Sequence, residues 1–212
     1  MDTLSPAVKA QIDRVFDIWN THLGSLLTGL YVHGSIALGA FDERSSDIDL
    51  LAVCDRKIPR AERLAIAKDI LSADNHPSPL EMSAVYADDL CPWRHPMPCQ
   101  FHYSGMWTKS YQKLLSGSVT KHFLIDEDFL DPDIACHVRL IKLHGIALHG
   151  TTDLLPEVPE QDFWHSLTYD IADSDLPSLG RVLSYKMEKR ILSKPESAEW
   201  LRQFLLQRIR ED

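Results

Sequence analysis

The sequence lacks an apolar run long enough to cross a bilayer, and it is poor in cysteine. The four cysteines, at positions 54, 91, 99 and 136, form no CxxC pair, which argues against a redox motif or a small disulfide scaffold. The N-terminus, Met1-Asp2-Thr3-Leu4, has no basic segment followed by an apolar stretch, so no secretory signal is expected. We therefore expect a cytoplasmic protein with reduced thiols and no membrane partner.

Positive charge is also scarce, because 22 basic residues face 31 acidic ones and the formal net charge is −9. Binding to duplex nucleic acid requires a basic face that displaces counterions, so a nucleic-acid partner is disfavoured. An acidic protein can instead attract a cationic small molecule by long-range steering. The 212 residues, of which 44% are hydrophobic and 25% charged, suffice for a buried core in one domain or two small ones.

The spacing of the apolar residues predicts strands and helices first, and helices alone afterwards. Ser5 before Pro6 is typical of a helix start, and the Gly- and Pro-containing segment 150–159 is the best candidate for a domain boundary. The fold class expected is α/β with a mixed sheet over residues 1–150, followed by a short all-α domain over residues 151–212. The predicted strands are 26–32, 48–53, 80–86 and 100–103, and the predicted helices are 6–21, 59–71, 131–149, 160–171, 179–190 and one that starts with the capping box at 193–196.

The segment from Gly34 to Asp49 carries the residues best suited to chemistry. Gly34 lets the backbone come close to a phosphate, and Ser35 follows where a short helix begins and free N–H groups favour an anion. Asp47 and Asp49 are two apart on a predicted strand, so both carboxylates leave the same face. Paired carboxylates suit Mg²⁺, and such a cation would allow a nucleotide's phosphates to lie beside them.

As a whole pattern, this segment resembles the signature of the DNA polymerase beta-like nucleotidyltransferase superfamily. The resemblance rests on Gly34-Ser35, on Gly39 four residues after the serine, and on Ser46-Asp47-Ile48-Asp49-Leu50-Leu51. The alternative is a strand with two exposed aspartates after a glycine turn. Since both halves of the signature are present, in order, we favour the nucleotidyltransferase interpretation.

Several segments further along the chain extend the resemblance: Pro79 to Val85, Pro92 to Pro96, Phe101 to Ser104, Asp131 to Ala135, Val158-Pro159, Arg181 to Leu183, and Leu192 to Trp200 with a gap. In this order they are similar to the aminoglycoside adenylyltransferases that modify streptomycin and spectinomycin. That resemblance implies transfer of AMP from ATP, in the presence of Mg²⁺, to a hydroxyl of a small cationic acceptor, with release of pyrophosphate.

The resemblance also implies roles for individual residues. Asp47 and Asp49 would bind magnesium, and Glu81 would join them and act as the catalytic base. Glu81 is the only charged residue of the predicted strand 80–86, which independently requires a polar or solvent-facing position for it. The residues implied in binding the nucleotide are Gly34, Ser35, Ser46, Arg181 and Lys194.

Three further residues are weaker candidates for contact with the acceptor. Trp107 lies within one residue of the position where the family carries a drug-stacking tryptophan, although a core or interface tryptophan is about as good an interpretation. Asp173 and Asp175 precede Arg181, where relatives carry an asparagine-containing helix, and they could bind a polyamine-like substrate. A solvated acidic turn is the favoured alternative for these two aspartates.

Other functions remain open from the residues alone. Cys91, His95, Cys99 and His102 could form a zinc site, although their spacing matches no zinc finger. The chain could also adenylylate a protein or another metabolite, or be a catalytically silent nucleotide-binding module. The residues do not specify the acceptor, the modified hydroxyl, the nucleotide base or the oligomeric state.

Overall fold

A central mixed β-sheet organises the chain, whose structure, a computed structural model, describes residues 3–127, 129–169 and 176–211. The strands are β1 Leu27–Val32, β2 Ile48–Cys54, β3 Leu80–Tyr86, β4 Met97–Tyr103, β5 Phe129–Asp131 and β6 Ile146–His149. They form one six-stranded sheet in the order β5-β4-β3-β2-β1-β6. Among the described strand pairs, β2 and β3 run parallel and the others antiparallel, which confirms the predicted mixed sheet.

Helices cover both faces of the sheet and make up most of the described chain after β6. They are α1 Pro6–Leu23, α2 Gly34–Ala37, α3 Arg60–Ala73, α4 Ala87–Leu90, α5 Thr108–Leu115, α6 Phe123–Asp126, α7 Ile134–His144, α8 Glu160–Tyr169, α9 Leu176–Glu188 and α10 Lys194–Glu211. None of the described helices combines the length and apolarity needed to cross a bilayer. The division into domains at residue 150 stays a prediction.

Two buried apolar clusters lie on opposite faces of the sheet. The first packs α1, α3 and α5 against it through residues such as Ile12, Ile70 and Tyr111. The second packs α7, α8 and α9 against the other face, with Val138 and Phe163 among its members. The central strands are therefore buried on both faces, which explains why their sequences read as nearly continuous apolar runs.

One polar cluster ties the later helices to α7. The carboxylate of Glu160, at the start of α8, accepts hydrogen bonds from Arg139, Tyr185 and Lys189. Hydrogen bonds from Lys189 and Tyr185, with a further contribution from Arg139, lower the pKa of Glu160 to about 2. Donors from α7, from α9 and from the residue that follows α9 therefore converge on a carboxylate that stays charged, and α8 and α9 are held against α7.

The structure corrects two of the predicted elements. The helix predicted over 131–149 ends at His144, and residues 146–149 form β6, which pairs with β1. Helical periodicity does not reveal this change, because β6 is recruited by the open edge of β1, a partner that is distant in sequence. The fourth strand starts at Met97 rather than at position 100, and it includes Pro98. A register shift in the β3–β4 ladder accommodates this irregular stretch, and the prediction also missed the short edge strand β5.

A buried carboxylate holds the start of β3, the strand that carries Glu81. Asp74, only 5% exposed, follows α3 and accepts hydrogen bonds at 2.8 Å from the backbone N–H of Leu80 and at 2.8 Å from the hydroxyl of Tyr103. The side-chain amide of Asn75 donates a third bond at 2.9 Å. Asp74 thus connects the end of α3 to the neighbouring strands β3 and β4.

Replacing Asp74 by alanine is expected to lower the free energy of unfolding by about 3 kcal/mol, since buried donors on Leu80 and Tyr103 would lose their acceptor. Chemical denaturation monitored by circular dichroism measures this change. Asp13→Ala, which removes an exposed aspartate on α1, is the matched control and should change stability by less than about 0.5 kcal/mol. Equal effects of the two substitutions would contradict the assigned role of Asp74.

Candidate active site

Three carboxylates meet where β2 and β3 begin. Asp49 on β2 lies directly opposite Glu81 on β3, because the two strands are parallel and joined by the crossover helix α3. Asp47 immediately precedes β2. Asp47, Asp49 and Glu81 are each half-buried, and each offers an oxygen atom such that all three atoms lie within 4.8 Å of one another. The register of one strand pair therefore assembles a group of carboxylates that are remote in sequence.

The turn after β1 is shaped around Asp49. Gly34 adopts φ +58°, and a Cβ atom built on it would lie 1.7 Å from Oδ2 of Asp49. The backbone N–H of His33 donates a hydrogen bond to the carbonyl oxygen of Asp49 at 3.0 Å. A further hydrogen bond from the backbone N–H of Ser35 reaches the carboxylate of Asp49. Glycine is required here because the backbone passes where a side chain would overlap the carboxylate.

The carboxylates repel one another in this arrangement. The pKa of Asp49 is raised well above its usual range, first by burial and then by the neighbouring charges of Asp47 and Glu81. The hydrogen bond from Ser35 and the positive charge of Lys194 act in the opposite direction, and they do not cancel the rise. A charged Asp49 is thus unfavourable without a compensating cation.

The donor set fits a magnesium ion. Mg²⁺ prefers oxygen ligands, binds few protein carboxylates and completes its coordination with water or with substrate phosphates. Among the described residues, Asp47, Asp49 and Glu81 form the group of acidic, histidine or cysteine side chains close enough to share a metal ion. Burial and the charges of Asp47 and Glu81 raise the pKa of Asp49, and a divalent cation between the three oxygens would offset both effects.

A cavity of about 460 Å³ opens beside the carboxylates. Its lining contains all the predicted nucleotide-binding residues, which come from the β1–α2 turn, the segment before β2, α9 and α10: Gly34, Ser35, Ser46, Arg181 and Lys194. The predicted capping box is confirmed, since Glu196 accepts hydrogen bonds from the backbone N–H of Ser193 at 2.9 Å and from its hydroxyl at 2.7 Å. This cap begins α10 at Lys194 and so directs its first residue to the cavity.

The weaker candidates are placed differently. Trp107 does not line the cavity, and its ring packs edge-on against His122 and Phe123 at centroid distances of 5.5 and 5.4 Å. Its proposed stacking on an acceptor stays a prediction. Asp173 and Asp175 lie outside the described residues.

The zinc alternative is wrong for this structure. The thiol of Cys99 is directed to the carbonyl oxygens of Ala84 and Phe101. The ring of His102 contacts Ser83 at 3.0 Å, whereas that of His95 contacts His165 on α8 at 2.6 Å. Cys91 is exposed, and these four side chains do not come together as a metal site among the described residues. The bulge and prolines between them direct the side chains to different neighbours.

Several lining residues had no signal in the sequence. His33 is buried, and its ring lies 4.5 Å from that of His137 on α7. The pKa of His33 is lowered well below its usual range, first by burial and then by His137, so the ring is neutral. Four other lining residues are brought to the cavity by the packing of α7, α8 and α9 over the sheet: Asp133, Cys136, Ser166 and Ser178.

Two family models match separate parts of the chain. The model described as a nucleotidyltransferase domain matches residues 12–95, which include Asp47, Asp49 and Glu81. The model described as the C-terminal domain of aminoglycoside adenylyltransferase matches residues 153–211, which include Arg181 and Lys194. The cavity is therefore lined by residues from both matched segments, one in the first half of the chain and one near its C-terminal end.

Relatives that align across both matched segments agree with the two family models. The aminoglycoside (3'')(9) adenylyltransferase of Klebsiella pneumoniae is 25% identical over 213 residues, covering 91% of this chain and 78% of the relative. The spectinomycin 9-adenylyltransferase of Campylobacter jejuni is 23% identical, covering 90% and 70%. The crystal structure of spectinomycin adenyltransferase AAD(9) from Enterococcus faecialis with ATP and spectinomycin superposes with a TM-score of 0.76 at 20% identity, covering 89% and 80%. The chain therefore belongs to the aminoglycoside-adenylyltransferase-like branch of the nucleotidyltransferases, and it is an adenylyltransferase.

Proposed function

We propose that this enzyme transfers AMP from ATP to a hydroxyl of a small cationic acceptor of the aminoglycoside or spectinomycin class and releases pyrophosphate. The observation that carries this proposal is the convergence of Asp47, Asp49 and Glu81 within 4.8 Å at the wall of the cavity. The relatives whose names specify these two drug classes align over most of this chain.

In the proposed reaction, the acceptor hydroxyl attacks the α-phosphorus in line with the leaving group. A new bond forms between the hydroxyl oxygen and that phosphorus, and the bond to the bridging oxygen of the β-phosphate breaks. Pyrophosphate leaves with the electron pair, and the hydroxyl proton passes to the carboxylate of Glu81. Asp49 and Glu81 are directly paired across the two strands, which supports a base that would lie beside the phosphorus of a nucleotide bound at the metal.

The other residues bind and orient the nucleotide. Magnesium held by Asp47, Asp49 and Glu81 would neutralise charge on the attacking and leaving oxygens. The hydroxyl of Ser35 is buried and has no hydrogen-bond partner among the described residues, as suits a donor to a phosphate oxygen. Arg181 and Lys194 approach from α9 and α10, where cations offset the charge of the triphosphate.

The charge of the cavity favours a cationic acceptor. Its described lining has five carboxylates against two basic side chains, and the protein carries a net charge of −9. Such a field raises the local concentration of cations and speeds their association. Aminoglycosides and spectinomycin carry amines and several hydroxyl groups, so both classes satisfy this requirement.

A direct test combines the enzyme, ATP labelled at the α-phosphate, Mg²⁺ and either streptomycin or spectinomycin. Labelled drug together with stoichiometric pyrophosphate is the expected result. Labelled protein would instead support a protein acceptor, and nucleotide binding without pyrophosphate release would support a silent binding module. The three carboxylates, all in place, favour turnover over the silent module.

Replacing Glu81 by glutamine is expected to lower kcat by roughly 10²–10⁴-fold, because the amide cannot accept the hydroxyl proton. Steady-state kinetics with the best acceptor measures this loss, and calorimetry should find that Mg·ATP still binds, since Asp47 and Asp49 remain. Glu127→Gln, at an exposed position that does not line the cavity, serves as the matched control with unchanged kcat. A fully active Glu81→Gln enzyme would exclude Glu81 as the base.

A further inference from the structure

An exposed arginine is held at the rim of the cavity by a carboxylate that lines it. Asp42 accepts hydrogen bonds from Nε of Arg44 at 3.1 Å and from Nη2 at 3.1 Å, in a two-pronged contact. The backbone N–H of Arg44 donates a third bond to Asp42 at 3.0 Å. The side chain of Arg44 is 88% exposed, so its position depends on Asp42 rather than on packing.

The short loop that contains Asp42 and Arg44, residues 42–46, also holds Ser46, a predicted phosphate-binding serine. The backbone N–H of Ser46 donates to the carbonyl oxygen of Asp42 at 2.7 Å, and its hydroxyl accepts from the backbone N–H of Asp42 at 3.1 Å. Ser45 and Ser46 both line the cavity, and Arg44 is next to them in the chain. Arg44 therefore belongs to a loop, residues 42–46, whose neighbouring side chains line the cavity.

The cavity is short of positive charge for a triphosphate. Its described lining contributes three more acidic than basic side chains: Asp42, Asp47, Asp49, Glu81 and Asp133 against Arg181 and Lys194. One metal ion would not offset both this excess and the charge of a nucleoside triphosphate. A further cation at the rim of the cavity would reduce this imbalance when a triphosphate binds.

Arg44 is suited to supply that cation. Exposed ion pairs contribute little to stability, because water solvates both partners and salt screens them, so breaking the contact with Asp42 costs little. A guanidinium group binds phosphate in the same two-pronged geometry in which it binds a carboxylate. A triphosphate carries more negative charge than one carboxylate, and it would therefore compete well for Arg44.

We propose that Arg44 is a further nucleotide-binding residue, which exchanges Asp42 for the terminal phosphates of a bound nucleoside triphosphate. This inference rests on the proposed function, because it requires that the cavity bind such a nucleotide. Asp42 acts as a positioning residue, because it holds the guanidinium group of Arg44 at the rim of the cavity until a nucleotide binds. The predicted contact is to the β- and γ-phosphates, so it should matter for ATP and much less for AMP.

The decisive experiment measures Mg·ATP and AMP binding by calorimetry without acceptor, comparing Asp42→Asn with the double variant Asp42→Asn/Arg44→Ala. If Arg44 binds the phosphates, the double variant should bind Mg·ATP about tenfold more weakly than Asp42→Asn, with AMP affinity changed by less than about twofold. If Arg44 only neutralises Asp42, the two variants should bind Mg·ATP equally, because the charge of Asp42 is absent from both. Equal affinities would overturn the inference.

A matched pair of variants on α10 and the unaltered protein serve as controls for the effect of Arg44. Arg202 forms a similar exposed two-pronged contact with Glu199 on α10, and it does not line the cavity. The pair Glu199→Gln and Glu199→Gln/Arg202→Ala should bind Mg·ATP like the unaltered protein. If the unaltered protein itself fails to bind Mg·ATP, both the proposed function and this inference fail. If it binds and only the Arg44 effect is missing, the proposed function stands and this inference alone is wrong.

Discussion

Replacing Asp49 by asparagine is expected to abolish AMP transfer and, in the absence of metal, to make the protein more stable. The activity should fall by at least about 10³-fold, because the variant loses a charged ligand for the cation that stabilises the transition state. The stability should rise because burial and the charges of Asp47 and Glu81 make a charged Asp49 unfavourable in the folded protein.

The sign of the stability change follows from linkage. The pKa of Asp49 in the folded protein is raised above its value in the unfolded chain, so the folded state binds the proton more tightly. Above the ordinary carboxylate range, the unfolded chain ionises more easily and the charged group destabilises the fold. Asparagine removes this penalty at neutral pH, whereas at a pH below the ordinary carboxylate range both forms are neutral and the advantage disappears.

Steady-state kinetics tests the predicted loss of AMP transfer, and thermal unfolding with and without MgCl₂ tests the predicted gain in stability. The unaltered enzyme should gain stability on addition of Mg²⁺, whereas Asp49→Asn should gain little, because the ion binds the folded state through this carboxylate. Asp55→Asn alters an exposed aspartate just after the other end of β2 and is the matched control, with normal activity and a normal response to Mg²⁺. An Asp49→Asn enzyme with full Mg²⁺-dependent activity would exclude the proposed metal site.

Replacing Gly34 by alanine should damage the same site by a different route. The added Cβ would lie 1.7 Å from Oδ2 of Asp49, so either the turn or the carboxylate must move. A displacement of about 1 Å in a catalytic group costs on the order of 10²-fold in rate, and this overlap demands at least that. We also expect the free energy of unfolding to fall by more than about 3 kcal/mol, since the clash adds to the strain of a side chain at positive φ.

Gly39→Ala separates the two causes. Gly39 has φ +68°, close to the +58° of Gly34, but a Cβ atom on Gly39 would meet nothing within 4 Å. The control should therefore lose only the roughly 1–2 kcal/mol expected for the backbone conformation and keep its activity. Kinetics and denaturation of both variants measure the contrast. If the two variants lost activity equally, the close approach of Gly34 to Asp49 would not be what shapes the site.

Local sequence patterns predicted those parts of the site that lie close together in the chain. Gly34, Ser35, Asp47 and Asp49 fall within sixteen consecutive residues, so the alternation of side chains along one strand suffices to place the two carboxylates on one face. The capping box before Lys194 is likewise local, because its bonds join Ser193 to a residue three positions away.

Edges and ends of the fold were harder to predict. The strand β6 follows Gly145 within a segment whose apolar spacing is compatible with a helix, and its pairing with β1 decided the outcome. The helix α9 begins at Leu176, before the predicted start at residue 179, and Pro177 lies in its first turn as expected for a proline near a helix start. Such boundaries depend on partners and caps that apolar periodicity does not encode.

The sequence by itself determined which side chains are available at the turn after β1 and at the start of β2, because the glycine-serine pair and the paired aspartates are short-range patterns whose spacing already implies a shared face. Only the tertiary structure decided how the site is completed. The parallel register brought Glu81 opposite Asp49, and the packing of α7, α9 and α10 brought a buried histidine contact, Arg181 and Lys194 to one cavity. These contacts join residues that are far apart in the chain, so local sequence patterns do not encode them. Burial and the mutual repulsion of the three carboxylates likewise arise only in the folded state.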